Sequence, residues 1–283
     1  MKINATLHCH GAWTDYAHGK FDIELFPRCV EKLADVAIAK GLDLVGLTDI
    51  SGKHVCEIYR PLVDQRGDRY IIEQDETSTV LTRKEDEKKV VFARTLEVLS
   101  NDAHVLIVGT AAIILGARPL EAVIDETYSV GGKAIADHPC YTIKLGKGMG
   151  EQKVRKFRKE GKLLALEENA NIAKVMEFIG HYNERAIALA QELDMPIIAN
   201  CDGNTARDMG RMYTTYFVKE NTKPTGLYNV IIDLLAKGNF EDSLLIRRGE
   251  PKRFISLPLH VVRGIYSIVR AKKGWIEKSL PAC

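Results

Sequence analysis

The sequence lacks the features that mark secreted and membrane proteins. Its six cysteines include no Cys-x-x-Cys pair, and the N-terminal segment MKINATLHCH contains no apolar stretch of the length found in signal peptides. No apolar run reaches the ~18 residues that a membrane-spanning helix requires. These absences argue against a disulfide framework and predict a cytoplasmic protein in a reducing compartment.

The chain also lacks an excess of charge of either sign. The formal net charge of the 283 residues is +2, so no strong overall field points to a nucleic acid or a membrane as partner. Hydrophobic residues make up 46% and charged residues 28% of the chain, which is ordinary for a globular protein with its own apolar core. The length allows one large domain or two modest ones.

Seven short apolar runs bounded by turn residues predict buried strands. They are Ile3–His8, Leu44–Thr48, Val90–Leu99, Val105–Val108, Ala134–Asp137, Leu163–Glu167 and Pro196–Asn200. Most of the runs are continuous rather than alternating, as in parallel strands that are covered on both faces. Amphipathic helical patterns lie between several of them, so we predict an α/β fold with a parallel sheet, either a barrel or an open doubly wound sheet.

The segment 64–89 interrupts this alternation. It is heavily charged and has no clear period, and we interpret it as an elaborated connection rather than a separate domain. No internal repeat or low-complexity tract is evident elsewhere in the chain.

Residues of metal-ligating types lie at one end of nearly every predicted strand. They are His8 and His10, Asp49, Glu97, His104, His138, Glu167 and Glu168, and Asp202. His8 and His10 are two residues apart and therefore share one face of an extended strand. Since parallel α/β proteins build their active sites at the carboxyl ends of their strands, this placement predicts a shared metal site.

Each of these residues also has a purely structural interpretation. A His-x-His pair often arises by chance, a histidine before proline is most often a turn residue, and Asp202 is suited to cap a following helix. Glu97, by contrast, lies in an apolar strand where an unpaired carboxylate is costly. Independent accidents would not all select the same edge of a sheet, so the metal-site interpretation is favoured over the separate structural ones.

Five segments between about residues 1 and 217 carry most of these candidate ligands. They read ATLHCH, GLDLVGLTDI, RTLEVLSNDAHVLIVG, AIADHP and IIANCDGNTARDMG. Their residues and their order resemble the motifs of the PHP (polymerase and histidinol phosphatase) family of metal-dependent phosphoesterases. The resemblance implies a distorted seven-stranded, TIM-like (β/α) barrel, which we assign to residues 1–220, and it implies hydrolysis of phosphate esters.

The same resemblance implies the ligands of two metal ions. His8, His10, Glu97 and Asp202 match the ligands of one ion, and Glu97, His104 and His138 match those of its neighbour. Glu97 would bridge the two. Such mixed donors suit Mn²⁺, Zn²⁺ or Fe²⁺, and two such ions ~3.5–4 Å apart polarise a phosphoryl oxygen and activate water. Glu97 and Asp202 are therefore predicted to be catalytic as well.

The departures from the family pattern concern a third metal ion. Two histidines that serve this ion in family members correspond to Ile50 and Asn204 here. An isoleucine cannot coordinate a metal, so we predict that the third site is lost. Asp15 or His18 would remain as its only other ligands, and His54 is a weak substitute.

A basic side chain is expected to hold the phosphate of the substrate. Arg207 and Arg211 follow the last motif and are the stronger candidates, and Arg207 is assigned a catalytic role. Weaker candidates are Arg94, Lys53 and Lys144. Each of these residues could equally be a surface charge, and no general acid for the leaving group is visible, with His18 and His54 as guesses.

The C-terminal part of the chain is basic. Residues 247–283 contain nine Lys or Arg and two Glu. We predict that residues 221–283 form a mainly helical basic extension packed on the barrel, with a solvated basic side. A docking surface for nucleic acid or anionic lipid is the less favoured interpretation.

The function predicted from these features is metal-dependent hydrolysis of a small phosphorylated substrate or nucleotide. A metal-binding or regulatory module without activity is one alternative, and a two-metal hydrolase of a non-phosphate bond is another. Six coherent ligands argue against the inactive module, since a decaying site would not lose the ligands of one metal selectively. The sequence leaves the substrate and the oligomeric state open.

Overall fold

The computed structural model describes residues 1–10, 26–64, 67–141, 147–170, 180–203, 208–237 and 246–249. Its helices are α1 (Phe26–Ala39), α2 (Tyr59–Val63), α3 (Leu120–Ser129), α4 (Glu151–Lys159), α5 (Tyr182–Glu192) and α6 (Leu227–Lys237), with a 3-10 turn at Pro224–Gly226. Its strands are β1 (Lys2–Cys9), β2 (Leu44–Ser51), β3 (Val55–Cys56), β4 (Tyr70–Gln74), β5 (Ser78–Arg83), β6 (Lys89–Leu99), β7 (His104–Val108), β8 (Lys133–Ala136), β9 (Ala165–Asn169), β10 (Ile197–Asn200), β11 (Met212–Phe217) and β12 (Ile246–Gly249).

Eight of these strands form a nearly closed barrel. They follow the order β10-β9-β8-β7-β6-β2-β1-β11, and the backbone N–H of Ala199 in β10 donates to Oγ1 of Thr214 in β11 at 2.8 Å across the remaining gap. All seven predicted strands are present. The predicted number of seven is nevertheless wrong for this barrel, because β11 runs antiparallel to β1 and completes the wall.

The prediction of a wholly parallel sheet is also wrong at β7. This strand pairs antiparallel with both β6 and β8. The connection from β6 is a short turn, closed by a 2.9 Å hydrogen bond from the N–H of Ser100 to the carbonyl of Ala103. Such a turn makes the two strands antiparallel, because a parallel pair needs a long crossover connection, usually a helix. As a result, the amino end of β7, with His104, lies at the barrel edge where its neighbours have their carboxyl ends.

The charged segment 64–89 forms a β-hairpin. Strands β4 and β5 pair antiparallel, and β5 continues the pairing onto the outer part of β6. Asp75 sets the turn, since its Oδ1 accepts hydrogen bonds from the backbone N–H groups of Thr77 and Ser78. The segment extends the main sheet, as expected for an elaborated connection rather than a separate domain.

Helix α6 closes the barrel end opposite to His104. Its Tyr228 and Ile231 pack in the interior apolar cluster with Leu106 and Ile198. The Tyr228 hydroxyl accepts from the N–H of Gly109, which follows the carboxyl end of the inverted β7, at 3.0 Å. Because this end is filled with apolar side chains, the opposite end is the one available for a polar site.

The first part of the predicted C-terminal extension, after residue 220, forms a helix and a strand that contact the barrel. Helix α6 packs in the barrel core, and β12 pairs antiparallel with β11. The division itself stays a prediction, and the basic segment 250–283 lies outside the described residues. Within the part of the chain that the structure describes, no helix combines the length and the apolar character needed to cross a bilayer.

Candidate metal centre

Strand β1 carries a β-bulge just before its two histidines. The register of β1 against β2 slips between Thr6 and Cys9, and such a slip reverses the alternation of side chains beyond it. Leu7 packs in the interior cluster, and His8 beside it faces the interior as well. Gly46 makes room for the bulge, because a Cβ at that position would overlap the carbonyl oxygen of Leu7.

Four donor atoms converge at the open end of the barrel and form what we call the first ligand group. They are Nε2 of His8, Nε2 of His10, Oε2 of Glu97 and Oδ1 of Asp202. The two Nε2 atoms are 3.0 Å apart. The His10 nitrogen lies 3.2 Å from the Glu97 oxygen and 3.3 Å from the Asp202 oxygen, and the His8 nitrogen lies 4.0 and 3.6 Å from them. A tetrahedral ion with ligands at ~2.1 Å spaces its donors by about 3.4 Å. The donors of His8, His10 and Glu97 lie mutually within 4.8 Å and could hold one divalent ion, with Asp202 beside the two histidines.

Glu97 presents its other carboxylate oxygen to a second ligand group, which consists of Glu97, His104, Asp137 and His138. Oε1 of Glu97 lies 2.7 Å from Nδ1 of His104, and Oδ2 of Asp137 lies 3.2 Å from Nε2 of His138. One donor atom from each of the four residues lies within 4.8 Å of the others. One carboxylate thus faces two groups of donors, which is the arrangement of a bridging ligand.

The far nitrogens of the first two histidines are bound to the protein. Nδ1 of His8 lies 2.9 Å from Oε1 of Glu167, and Nδ1 of His10 lies 3.3 Å from the carbonyl oxygen of Thr48. With the proton on Nδ1, each Nε2 presents its lone pair to the first ligand group. Metal-binding histidines are typically oriented in this way.

Glu167 is the centre of a buried hydrogen-bond network beneath the ligands. Besides the imidazole of His8, it accepts bonds from the side-chain amides of Asn200 at 2.9 Å and Asn169 at 3.0 Å, and from the backbone N–H of His138 at 3.1 Å. Asn169 also donates to Oδ2 of Asp202 at 2.9 Å. One satisfied carboxylate therefore fixes residues of both ligand groups.

The charges of the ligands are balanced by protons in the metal-free protein. Burial lowers the pKa of both His8 and His10, but the surrounding carboxylates outweigh it. Glu167 contributes most to raising the pKa of His8 well above its usual value, and Asp202 contributes most to raising the pKa of His10 to about 9. Burial acts to raise the pKa of Glu97, but the neighbouring histidines hold it well below its usual range. A divalent cation can replace these protons as the balancing charge.

Asp137 tests whether a metal ion fits the second ligand group. It is fully buried, and neither of its carboxylate oxygens makes a hydrogen bond with a described residue, although Oδ2 lies 3.2 Å from Nε2 of His138 and Oδ1 lies 3.5 Å from Nδ1 of His8. Burial and then the charge of Glu167 raise the pKa of Asp137 well above its usual value. Nδ1 of His138 likewise has no hydrogen bond from the described part of the chain. Buried polar atoms without a hydrogen bond are costly. Carboxylate oxygens and imidazole nitrogens are also ligands that Mn²⁺, Zn²⁺ and Fe²⁺ accept, so a metal ion fits here.

The structure brings all six predicted metal ligands together. They are His8, His10, Glu97, His104, His138 and Asp202. The sequence analysis did not include Asp137 and Glu167 in the ligand set. Both lie at strand ends in the segments AIADHP and LLALEEN, and their position on the inner face of the barrel was the signal that could have identified them.

The described arginines that were candidates for binding the substrate phosphate are paired with carboxylates of the protein. The Arg94 guanidinium is buried 3.4 Å from Asp49 and 3.2 Å from Glu57, and Arg211 lies 2.8 Å from Asp208. The remaining candidates are Lys53, which is exposed, and Arg207 and Lys144, which lie outside the described residues. His54, considered as a substitute metal ligand and as a general acid, is also exposed. The assignment of Arg207 stays a prediction.

The position of Ile50 bears on the third metal site. Ile50 lies in β2 directly opposite Glu97 in β6. The residue that corresponds to a histidine in the motif that the sequence resembles is therefore next to the ligand groups and offers no donor. Asp15, His18 and Asn204 lie outside the described residues. Loss of the third site therefore stays a prediction.

Two tyrosines border the second ligand group. The Tyr141 ring lies 5.7 Å from the His138 ring at an interplanar angle of 66°, and the Tyr182 ring lies 5.0 Å from Tyr141 at 68°. Tyr182 is buried, whereas Tyr141 is half-buried. Tyr141 therefore stands between the ligands and solvent.

Neither a protein-family model nor a curated protein matches the sequence. Among solved structures, PsfC from Pseudomonas syringae PB-5123 is similar over 95% of this chain and 98% of its own, with a TM-score of 0.55 and 17% sequence identity. The likeness therefore spans nearly the whole of both chains.

Two endonuclease Q structures are also similar. The lesion-specific endonuclease PfuEndoQ from Pyrococcus furiosus matches with a TM-score of 0.51 and 14% identity, over 88% of this chain and 59% of its own. The complex of endonuclease Q with a 27-mer duplex substrate, which has an abasic lesion at the active site, matches with a TM-score of 0.52 and 15% identity, over 89% and 60%. The chain thus spans about three fifths of the endonuclease Q chains, and at these identities the likeness shows a shared fold.

Proposed function

We propose that this chain is a metal-dependent phosphoesterase of the PHP family that holds two divalent ions. The observation that carries the proposal is the position of Glu97, whose two carboxylate oxygens face two separate groups of His and Asp donors. When bound, two such ions polarise a phosphoryl oxygen and lower the pKa of water.

The protein's own residues have distinct parts in this proposal. The first ligand group, with His8 and His10, would hold one ion at the ends of β1, β6 and β10. The second group would hold the other ion beside it, with Asp137 added to the ligands implied by the family resemblance. Glu167 would act on the metals indirectly, because it orients His8 and the backbone of His138.

We propose phosphodiesters as the substrate class. Support comes from the two endonuclease Q structures that share this fold, one of them with a DNA duplex at its active site. The similarity to PsfC covers more of both chains but does not point to a substrate class. The sequence predicted a small phosphorylated substrate or nucleotide and left monoester against diester open, so phosphomonoesters are tested beside diesters.

The alternatives of an inactive metal-binding module and of a non-phosphate hydrolase make different predictions. An inactive module would bind metal without turnover of any phosphate ester. The second alternative would also bind metal but would cleave only other bonds. Phosphodiester hydrolysis agrees better than either alternative with the similarity of the fold to endonuclease Q.

The deciding experiment combines metal analysis with a panel of phosphate esters. Wild type is expected to bind about two equivalents of Mn²⁺, Zn²⁺ or Fe²⁺ and to hydrolyse bis(p-nitrophenyl) phosphate and an abasic-site DNA duplex. Glu97→Ala should lose both ions and the activity. Glu73→Ala, which removes an exposed carboxylate of β4, is the matched control and should behave as wild type. Absence of bound metal in wild type would rule out the proposal.

A further inference from the structure

A hydrolase of phosphate esters needs donors for the phosphoryl oxygens besides the metal ions. In the part of the chain that the structure describes, the arginines considered for this part have other partners. Arg94 faces the outer side of β6 and contacts Asp49, and Arg211 is paired with Asp208. A neutral side chain at the mouth of the site could supply such a donor.

Tyr141 is such a donor. No described residue makes a hydrogen bond with its hydroxyl group, although its ring packs 5.7 Å from the ring of His138. The ring therefore borders the second ligand group, and no described residue uses the hydrogen-bonding capacity of the hydroxyl.

The backbone of Tyr141 is held in place. Its N–H donates to the carbonyl of His138 at 2.9 Å, and its carbonyl accepts from the N–H of Gly148 at 2.8 Å. Gly148 leaves no space for a side chain, because a Cβ there would overlap the carbonyl oxygen of His138. The buried ring of Tyr182 supports Tyr141 from the other side. A donor fixed in this way loses little entropy when a ligand binds.

We propose that Tyr141 is a substrate-binding residue whose hydroxyl donates a hydrogen bond to a phosphoryl oxygen of the bound ester. This inference rests on the proposed function, since it assigns a contact to the same site. The hydroxyl would meet the oxygen in the bound ester and in inorganic phosphate alike. Its contribution is thus to binding more than to the chemical step.

The test uses Tyr141→Phe, which keeps the ring and removes only the hydroxyl. With bis(p-nitrophenyl) phosphate, we expect KM to rise by about tenfold or more, with kcat changed by much less. The inhibition constant of inorganic phosphate should rise by the same factor. Metal content and melting temperature should equal those of wild type.

Tyr128→Phe is the matched control. Tyr128 is also half-buried, but it lies on α3 and its ring contacts Lys133 on the outside of the barrel. This variant should leave KM and phosphate inhibition unchanged. If Tyr141→Phe has the KM of wild type while wild type is active, the inference is wrong and the proposed function stands.

Two other outcomes separate the remaining explanations. Loss of metal or of thermal stability in Tyr141→Phe would show that the hydroxyl acts on the fold around His138, which overturns a substrate contact. If metal-loaded wild type hydrolyses no phosphate ester and binds no inorganic phosphate, the proposed function fails and the role of Tyr141 falls with it.

Discussion

Glu167 lies 2.9 Å from Nδ1 of His8, on the side of the imidazole that faces away from the first ligand group. The carboxylate therefore determines which ring nitrogen carries the proton and where Nε2 points. Through this contact, Glu167 can control the affinity of the first ligand group for a metal ion.

Glu167→Gln is expected to weaken metal binding without unfolding the protein. The amide keeps the shape of the side chain but removes the charge that favours a protonated Nδ1 on His8, and such changes lower metal affinity by about 10- to 100-fold. Titration with Zn²⁺ or Mn²⁺, followed by calorimetry, measures the effect. Glu168→Gln, at the next position and partly exposed, is the control, and equal affinities for the two variants would contradict the role of Glu167.

Asp137→Asn is expected to weaken metal binding and, at the same time, to raise the stability of the metal-stripped protein. We predict that this variant keeps the ion of the first ligand group and loses the other, so that about one equivalent remains. The metal-stripped variant should melt at a higher temperature than metal-stripped wild type, because a neutral amide is cheaper to bury than an unpaired carboxylate. Two retained equivalents, measured by elemental analysis, would exclude Asp137 as a ligand.

The pH dependence of metal binding follows from the raised pKa values of the histidines. In the metal-stripped protein, His10 has a pKa raised to about 9 from 6.5, and the pKa of His8 is raised as well. Their protonated forms stabilise the fold fully below pH 6.5, and this stabilisation is lost as the pH rises toward about 9.

Metal must displace these protons, so its affinity should rise over the same interval. The difference in melting temperature between metal-loaded and metal-stripped protein should therefore widen from pH 6.5 to about 9. Differential scanning calorimetry across this range provides the measurement. A difference that stays constant or narrows would show that the histidines are not protonated in the metal-free site.

Gly46→Ala is expected to disturb the site from a distance. The new Cβ would overlap the carbonyl oxygen of Leu7 in the bulge, so either β1 shifts or the barrel opens, at a cost of about 1–3 kcal/mol. Chemical denaturation should show the loss of stability, and metal titration a weaker first ligand group. Gly52→Ala, just after β2, where an added Cβ meets nothing within 4 Å, should be close to wild type in both measurements.

The strands, and the convergence of the six candidate ligands at one end of the barrel, could be predicted because both leave local signals. Continuous apolar runs identify buried strands, and ligand-type residues at their ends are visible directly in the sequence. Glu97 was recognisable because a carboxylate within an apolar strand requires a partner. These inferences do not depend on how the strands pair.

Pairing itself is where the sequence analysis was wrong. Strand β11 has a mixed composition, MYTTYF, so it was not recognised as the eighth strand of the barrel. The direction of β7 is set by the short turn after Leu99. The composition of this turn did not distinguish it from a loop that leads into a crossover helix, so the sequence did not show that the chain reverses there. Asp137 was not singled out, and Glu167 was noted at its strand end but left out of the ligand set, because only the closed barrel shows that both side chains face its interior.

The inverted strand β7 also has a consequence for the order in which the two ligand groups can assemble. Glu97 and His104 belong to one hairpin, so their donors meet through a local contact that needs little chain closure. His8 and Asp202 come from opposite ends of the barrel sequence and meet only when β1 and β10 are joined, as the hydrogen bond from the Asp202 N–H to the His8 carbonyl shows. Occupancy of the first ligand group would therefore report that folding is complete, and during refolding it should appear only with the last stage of native structure.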